Sequence, residues 1–389
     1  MNENNKDIED DKTDEVFIPY FKNIFNFKSI IDASNEIDFK NLIDISNINY
    51  NNLINNLPTT RKSTSETAIK HLKEAYQNGN LNFVLGAGIS SEYGIPTWES
   101  LLQRLLMKTI EEESQKAVVL SKFFSKIFNP SPLIAGRYLQ DSFKDEKISI
   151  KFEKQVRNAL YQTFDKNATS LIIDEIVKFC LAPGNSPNLD GIITYNYDDI
   201  IEVKLKEKNL DMPFESVFGQ SINPDKNVLK IYHVHGFLPR NGTINNENRI
   251  TLGEFVYHEQ YSNTYSWNNI VQINKFRDKT CLFIGTSLND PNIRRLLDIA
   301  KSQRRSNKFH YIFKKKIDKT WLKESINKLI KENPDFKEDS NIKLDETIDF
   351  LIEMKSRFEE KDSESLGVKT VWIDDYDKDI SEVLKKIRL

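Results

Sequence analysis

A glycine-rich turn follows the apolar segment Leu81–Leu85 and has the composition of a phosphate-binding turn. It reads Gly86-Ala87-Gly88-Ile89-Ser90, and a second turn, Gly94-Ile95-Pro96, closes it. Glycines directly after a strand let a ligand approach the backbone, and exposed amides near a helix N-terminus attract phosphate. A GxG pair alone is a weak signal, because many turns use glycine for steric reasons. Hydride-transfer enzymes usually add a third glycine and an acidic residue about 20 residues further on. Both are absent, so hydride transfer is disfavoured.

Three more polar segments lie where other predicted strands end, which is where open α/β sheets bind their ligands. They are Thr194–Asp199 (TYNYDD), His233–Gly236 (HVHG) and Gly285–Asp290 (GTSLND). Each has a structural alternative, since such residues also serve as turn, cap and strand-end residues. The two histidines would share one face of a strand, so alternation alone does not separate His233 from His235.

The four segments, taken in this order, resemble the sirtuin superfamily. The resemblance rests on GAGIS with GIP, on NYD, which matches the family's Asn-x-Asp, on HG and on GTS. It spans about Leu81 to Asp290, and the segment VKTVWI from Val368 fits the last strand of the same domain. The resemblance implies an NAD-binding catalytic domain with a Rossmann-like fold.

The resemblance also assigns roles to individual residues. Asn196 is expected to hold the nicotinamide ribose and to position water, and Asp198 to bind the nicotinamide carboxamide. His235 matches the catalytic histidine that accepts a proton from a ribose hydroxyl. The residues expected to line the rest of the NAD site are Gly86, Ala87, Gly88, Ser90, Ile95, Pro96, Gly285, Thr286 and Ser287.

This set of side chains suits cleavage of the nicotinamide glycosidic bond. The reaction builds positive charge on the ribose, so it needs polar groups that orient the sugar, a proton acceptor and a positioned nucleophile. Nicotinamide already carries a positive charge in NAD and leaves without a general acid. One histidine and one asparagine are therefore enough for hydrolysis.

Two departures from the family pattern argue against protein deacetylation. Deacetylating sirtuins carry a four-cysteine zinc module after the HG, but the interval from His235 to Gly285 contains a single cysteine, Cys281. We therefore expect no zinc module and no bound metal. Thr97-Trp98-Glu99 also stands where deacetylases have Asp-Phe-Arg after GIP. An NAD-dependent protein deacylase or ADP-ribosyltransferase stays an alternative, as does a non-catalytic module that senses NAD or ADP-ribose.

These departures resemble the sirtuin-like domains of bacterial antiphage defence proteins, which hydrolyse NAD and so starve the infected cell. The architecture is most similar to the stand-alone subunit that acts beside a HerA-type ATPase. The resemblance implies NAD as substrate, nicotinamide and ADP-ribose as products, a homo-oligomer and a hexameric HerA-type ATPase as partner.

The positions of these motifs require a sheet of parallel strands. Apolar runs predict strands at Leu81–Leu85 and from Gly191, Val228, Thr280, His310 and Val368, with helical patterns between most of them. Parallel strands need long crossovers, so we predict an α/β fold, a Rossmann-like parallel sheet with helices on both faces. Repeated amphipathic patches predict a helical insertion at about 115–180.

The remaining composition gives the domain organisation. Residues 1–15 are predicted to be a disordered acidic tail, residues 16–64 an N-terminal extension or arm, and residues 65–389 the catalytic domain. Basic and acidic residues number 55 and 58, so no overall charge attracts nucleic acid, and direct nucleic-acid binding is not expected. Cys180 and Cys281 lie alone in apolar stretches and are predicted to be core thiols. No signal peptide or membrane span is apparent, so we expect a cytoplasmic protein.

Overall fold

The computed structural model describes residues 65–109, 132–142, 151–181, 189–208, 214–219, 228–304, 309–332 and 344–389. The chain divides into two compact units. Among the described residues, one unit comprises those from 65 to 316 and from 355 to 389 and contains the sheet; the other comprises those from 317 to 354. The predicted tail (1–15) and N-terminal extension (16–64) lie outside the described residues, so both stay predictions.

The first unit is built on a seven-stranded sheet in which every pair of neighbours is parallel. The strands are β1 (Leu81–Leu85), β2 (Leu189–Thr194), β3 (Phe214–Val217), β4 (Leu229–His233), β5 (Thr280–Ile284), β6 (His310–Lys315) and β7 (Val368–Ile373). Their order is β3-β4-β2-β1-β5-β6-β7. The chain thus leaves β1 toward β2 on one side and returns to β5 on the other, and open α/β sheets bind ligands at such a switch point.

The parallel sheet and the six predicted strands are confirmed, with two differences. The edge strand β3 was not predicted, because it is short and Phe214 and Val217 are its only apolar residues. Strand β4 ends at His233, where the sequence pattern predicted a strand through His235. The chain turns here: Gly236 has φ +104° and its N–H donates to the carbonyl of His233 at 3.1 Å. The face-sharing argument for the two histidines therefore does not hold.

Described helices alternate with the strands. They are α1 (Ser65–Gln77), α2 (Trp98–Thr109), α3 (Pro132–Ser142), α4 (Lys151–Leu160), α5 (Leu171–Cys180), α6 (Ile200–Glu207), α7 (Glu254–Ser262), α8 (Trp267–Asp278), α9 (Pro291–Gln303), α10 (Lys319–Glu332), α11 (Leu344–Ser365) and α12 (Tyr376–Arg388). Within the predicted insertion at 115–180, the structure describes α3, α4 and α5.

Alternate side chains of the strands pack into two separate apolar clusters, one on each face of the sheet. In β1, Phe83 and Leu85 join the cluster that includes α1, α5 and α12, whereas Val84 joins the cluster of α8 and α9. In β5, Leu282 and Ile284 alternate with Cys281 and Phe283 in the same way. Helices therefore cover both faces, as predicted. Burial on both sides explains why these strands are continuous apolar runs.

Helix starts near the sheet carry side-chain caps. Asp290 accepts hydrogen bonds from the N–H groups of Asn292 and Ile293 at 2.7 and 3.0 Å, and Pro291 occupies the first turn of α9. Asp375 caps α12 by accepting from the N–H of Lys378 at 2.8 Å. These caps satisfy amides that a helix leaves unpaired and fix where each helix leaves its loop.

The second unit is described over 317–332 and 344–354. Here α10 and the start of α11 carry the ion pairs Lys319–Asp349 at 2.6 Å and Lys323–Asp345 at 3.2 Å. Exposed pairs of this kind contribute little to stability.

Both cysteines are free and buried, as predicted. No helix in the described ranges is long and apolar enough to span a membrane.

Candidate active site

The turns after β1 and β5 touch each other at the switch point of the sheet. The N–H of Gly86 donates to the carbonyl of Ile284 at 3.0 Å, and the N–H of Gly88 donates to the carbonyl of Gly285 at 3.1 Å. A β-carbon at Gly86 would lie 2.4 Å from the carbonyl oxygen of Gly285 and 2.8 Å from Cβ of Thr286. Only glycine permits this approach, so the two turns predicted to face the NAD phosphates form one continuous surface.

Asn196 connects the end of β2 to the glycine turn. Its side chain is buried, and Nδ2 donates to the carbonyl of Gly86 at 3.1 Å and to Oγ of Ser90 at 3.2 Å. Its own N–H donates to Oγ1 of Thr194 at 3.1 Å. Three residues predicted for one site, Gly86, Ser90 and Asn196, are therefore in direct contact.

Asp198 presents a buried carboxylate beside them. Oδ1 accepts a hydrogen bond from the N–H of Ile200 at 3.2 Å, while Oδ2 is buried and has no hydrogen-bond partner in the described ranges. Burial raises the pKa of Asp198 to about 6, although the Ile200 amide and the Ser90 hydroxyl act in the opposite direction. Buried polar atoms normally have a partner, so Oδ2 fits an N–H donor supplied by a ligand.

His235 lies in the turn after β4 with its ring buried. The ring meets Tyr195 edge to face, with centroids 4.8 Å apart, and Nε2 lies 4.0 Å from Oδ2 of Asp290. The carbonyl of His235 accepts from the N–H of Thr251 at 2.7 Å. Burial lowers the pKa of His235, and the Asp290 carboxylate only partly opposes this effect. The imidazole is therefore neutral at neutral pH and can accept a proton.

His233 is held by groups of the fold. Nε2 lies 2.7 Å from Oε1 of Glu202, and Nδ1 lies 3.2 Å from the main-chain carbonyl of Asn196. Glu202 also accepts from the hydroxyl of Ser216 at 2.9 Å, and although burial would raise its pKa, the neighbouring His233 holds that pKa below its usual value. Because both ring nitrogens of His233 already face acceptors, the geometry favours His235 as the proton acceptor.

The other predicted site residues occupy different environments. Ile95 is part of the apolar core and Pro96 is buried. The Gly94 turn before them has φ +74°, and a β-carbon there would lie 2.1 Å from the carbonyl of Thr163. Ala87 and Thr286 are half-buried, and Ser287 is exposed. The GIP segment thus fixes the turn by packing, and the polar contacts come from Ser90, Asn196 and Asp198.

Polar residues of α8 that the sequence analysis did not single out hold the His235 turn. Asn268 donates from Nδ2 to the carbonyl of Val234 at 3.1 Å, and Gln272 donates to the carbonyl of Asn268 at 3.0 Å. The hydroxyl of Tyr195 donates to Oε1 of Gln272. Asn268 and Gln272 are four residues apart in the segment before the predicted strand at Thr280, and this helical spacing was the available signal.

Helical segments fill the interval in which deacetylating sirtuins carry their zinc module. The chain between His235 and Gly285 forms the short turn Asn246–Asn248 and helices α7 and α8. Within the described part of the chain, no group of three or more His, Cys, Asp or Glu side chains could hold a metal ion.

Comparison with known proteins adds a family match and two relatives. Residues 190–344 match the SIR2-like domain. The chain is 25% identical over 325 residues to the NAD(+) hydrolase ThsA of Enterococcus faecium, covering 82% of this chain and 57% of that protein. It is also 25% identical over 334 residues to the NAD(+) hydrolase ThsA of Cytobacillus dafuensis, covering 83% of this chain and 55% of that protein. The chain thus spans little more than half the length of these relatives.

Proposed function

We propose that this chain hydrolyses NAD at the nicotinamide glycosidic bond and releases nicotinamide and ADP-ribose. The observation that carries the proposal is the pair of hydrogen bonds from Asn196 Nδ2 to the Gly86 carbonyl and the Ser90 hydroxyl. They join a residue expected to hold the ribose to the turn expected to hold the phosphates. Two relatives that are named NAD(+) hydrolases support the same activity.

The site residues have chemistry suited to each part of this reaction. With Nδ2 of Asn196 donating into the fold, its carbonyl oxygen is the atom that accepts a hydrogen bond from a ribose hydroxyl or from water. His235, neutral because it is buried, accepts a proton from a ribose hydroxyl, and that hydroxyl in turn takes the proton that water releases. The water oxygen bonds to the ribose carbon, and the electron pair of the broken C–N bond neutralises the nicotinamide ring. Oδ2 of Asp198 accepts a hydrogen bond from the carboxamide.

We also propose that the protein forms a homo-oligomer and acts with a HerA-type ATPase in antiphage defence, as the resemblance in sequence implies.

The basic side chains at the end of α9 and around the end of β6 support the expectation that nucleic acid is not a partner. Lys314 pairs with Glu359 at 3.4 Å, Lys316 pairs with Asp374 at 3.0 Å, and Arg304 donates to the carbonyl of Phe276. These cations have partners within the chain. We also propose that residues 65–389 form a single catalytic domain and that the protein is located in the cytoplasm.

Substitution of Asn196 or His235 by alanine tests the proposed activity. Each change is expected to lower release of nicotinamide from NAD by roughly 10²–10⁴-fold, the usual contribution of a positioned acid-base group. The assay measures nicotinamide and ADP-ribose by chromatography, with the chain alone and with its ATPase partner. Asn78→Ala is a matched control, because Asn78 precedes β1 at the opposite end of the strand and its side chain donates to the main-chain carbonyl of Glu74 at 2.8 Å.

The products separate the alternatives. Undiminished hydrolysis in both variants would rule out this mechanism. Nicotinamide release that requires an acylated lysine peptide would indicate a deacylase, and label transfer from NAD to protein would indicate a transferase. Tight NAD binding without turnover under every condition would indicate a sensing module.

A further inference from the structure

The hydroxyl of Tyr376 lies buried against the glycine turns without a partner. Tyr376 is the first residue of α12, and its ring is half-buried against the apolar core. The hydroxyl oxygen itself is buried and makes no hydrogen bond within the part of the chain that the structure describes. A β-carbon at Gly88 would lie 2.6 Å from this oxygen and 2.9 Å from Cα of Gly285. The hydroxyl therefore stands where the two turns meet.

This orientation is unusual for tyrosine. A half-buried tyrosine normally buries its ring and leaves the hydroxyl in water, or pairs the hydroxyl with another group. Leaving a buried donor unpaired costs free energy of folding, and such groups often have a functional explanation. Burial, together with the nearby Asp377 carboxylate, raises the pKa of Tyr376, so the hydroxyl keeps its proton and remains a donor.

The position of the hydroxyl is fixed by the packing of α12. Ile380, Leu384 and Ile387 are fully buried in the core shared with α1 and α5. Asp377 accepts a hydrogen bond from the N–H of Ile172 at the start of α5, at 3.3 Å. These contacts hold the first turn of the helix, and with it the backbone of Tyr376, beside the site. A rigid donor costs little entropy when it binds a ligand.

Three amides around the start of α12 already donate to carboxylates. Asp375 accepts from the N–H of Lys378, and Asp379 accepts from the N–H groups of Asp374 and Asp375 at 2.8 and 3.0 Å. These acidic side chains would repel an anion at the helix N-terminus itself. The Tyr376 hydroxyl is a neutral donor that α12 presents beside the glycine turns.

We propose that Tyr376 is a further NAD-binding residue, whose hydroxyl donates a hydrogen bond to the diphosphate of the dinucleotide at the Gly88 and Gly285 turns. The proposal rests on the proposed function, because it uses the same pocket. It also adds a reason for glycine at position 88, since a side chain there would displace the hydroxyl.

Tyr376→Phe tests this role because it removes the hydroxyl and keeps the ring. The affinity for NAD, measured by calorimetry, is expected to fall roughly tenfold, the loss typical of one hydrogen bond to a charged group. The affinity for ADP-ribose is expected to fall equally, because both ligands carry the diphosphate. Tyr76→Phe is the matched control: this hydroxyl donates to the carbonyl of Phe179 at 3.4 Å, between α1 and α5. It should leave both affinities unchanged.

Each outcome is decisive. Unchanged affinity for both ligands in Tyr376→Phe would overturn the inference alone, whereas a wild-type chain that does not bind NAD would overturn the proposed function with it. A loss for NAD but not for ADP-ribose would place the contact at the nicotinamide end and contradict the assignment to the diphosphate. The melting temperature without ligand should not fall, since no internal hydrogen bond is lost. A clear fall would show that the hydroxyl has a partner within the fold.

Discussion

Asp198 is the residue at which binding and stability oppose each other. Its carboxylate is buried, and the pKa of Asp198 is raised to about 6 from its ordinary value of 3.8, mainly by burial. The folded state therefore binds this proton more tightly than the unfolded state does. By linkage, the free energy of unfolding falls as the pH rises from about 4 to about 6, and the cost is fully present at pH 7.

Asp198→Asn is expected to stabilise the fold at pH 7 by about 1–3 kcal/mol, because it removes a buried charge and keeps the acceptor for the Ile200 amide. Urea unfolding of both proteins at pH 7 and pH 5 measures the effect. The difference should shrink at pH 5, where the wild-type carboxyl is protonated. The variant should also lose NAD turnover, as expected for a site residue that costs stability. A variant that is less stable than the wild type at both pH values would contradict this explanation.

At the scale of residues, the sequence predicted which residues lie in contact at the site. It did not predict most of the contacts that hold their side chains in place. Contact between Gly86, Ser90 and Asn196 followed from motifs at the ends of strands that had been predicted. The pairing of His233 with Glu202 did not, because it depends on a turn at the end of β4 and on the facing side of α6. The buried position of the Tyr376 hydroxyl could not be predicted from sequence either, because an acidic turn before a helix does not indicate the orientation of a tyrosine side chain.

At the scale of elements, the junction of the turns after β1 and β5 determines the site. Gly86→Ala is expected to destabilise the fold by roughly 1–3 kcal/mol or more, because the new methyl group would meet the main-chain carbonyl of Gly285 at 2.4 Å. Urea unfolding gives the difference. Gly219→Ala is the matched control, because no atom of the described residues lies within 4 Å of its β-carbon, and it should change stability by less than about 0.5 kcal/mol. Equal stability of the two variants would show that the turns can separate without cost.

The central strands were predictable because burial on both faces makes them continuous apolar runs. Strand β3 was not predicted, because an edge strand needs little apolar surface. The turns beside it were not predicted either, so the sequence pattern did not mark where the strand begins and ends. The end of β4 was misplaced because Val234 continues the apolar pattern after the backbone has already turned. In both cases tertiary pairing decided the outcome, and periodicity in a single segment does not report pairing.

At the scale of the whole first unit, residues distant in sequence meet at one edge of the sheet. Strands β1, β2, β4 and β5 each deliver one segment there, as the rule for open parallel sheets predicts. The contribution of α12 was less predictable. This helix follows the edge strand β7, yet it packs back on α1 and α5 and so brings Tyr376 to the turns after β1 and β5. The packing of α12 on α1 and α5 depends on contacts between helices across several strands of the sheet, and so it was less predictable from sequence.

The crystal structure of the His235→Ala variant with NAD tests the central claim most directly, because loss of the proton acceptor should leave the substrate intact in the site. We predict that the diphosphate lies against the Gly86–Gly88 and Gly285 turns and that the nicotinamide ribose lies within hydrogen-bond distance of Asn196. Density for NAD elsewhere on the protein, or an empty sheet edge at a saturating NAD concentration, would contradict the account.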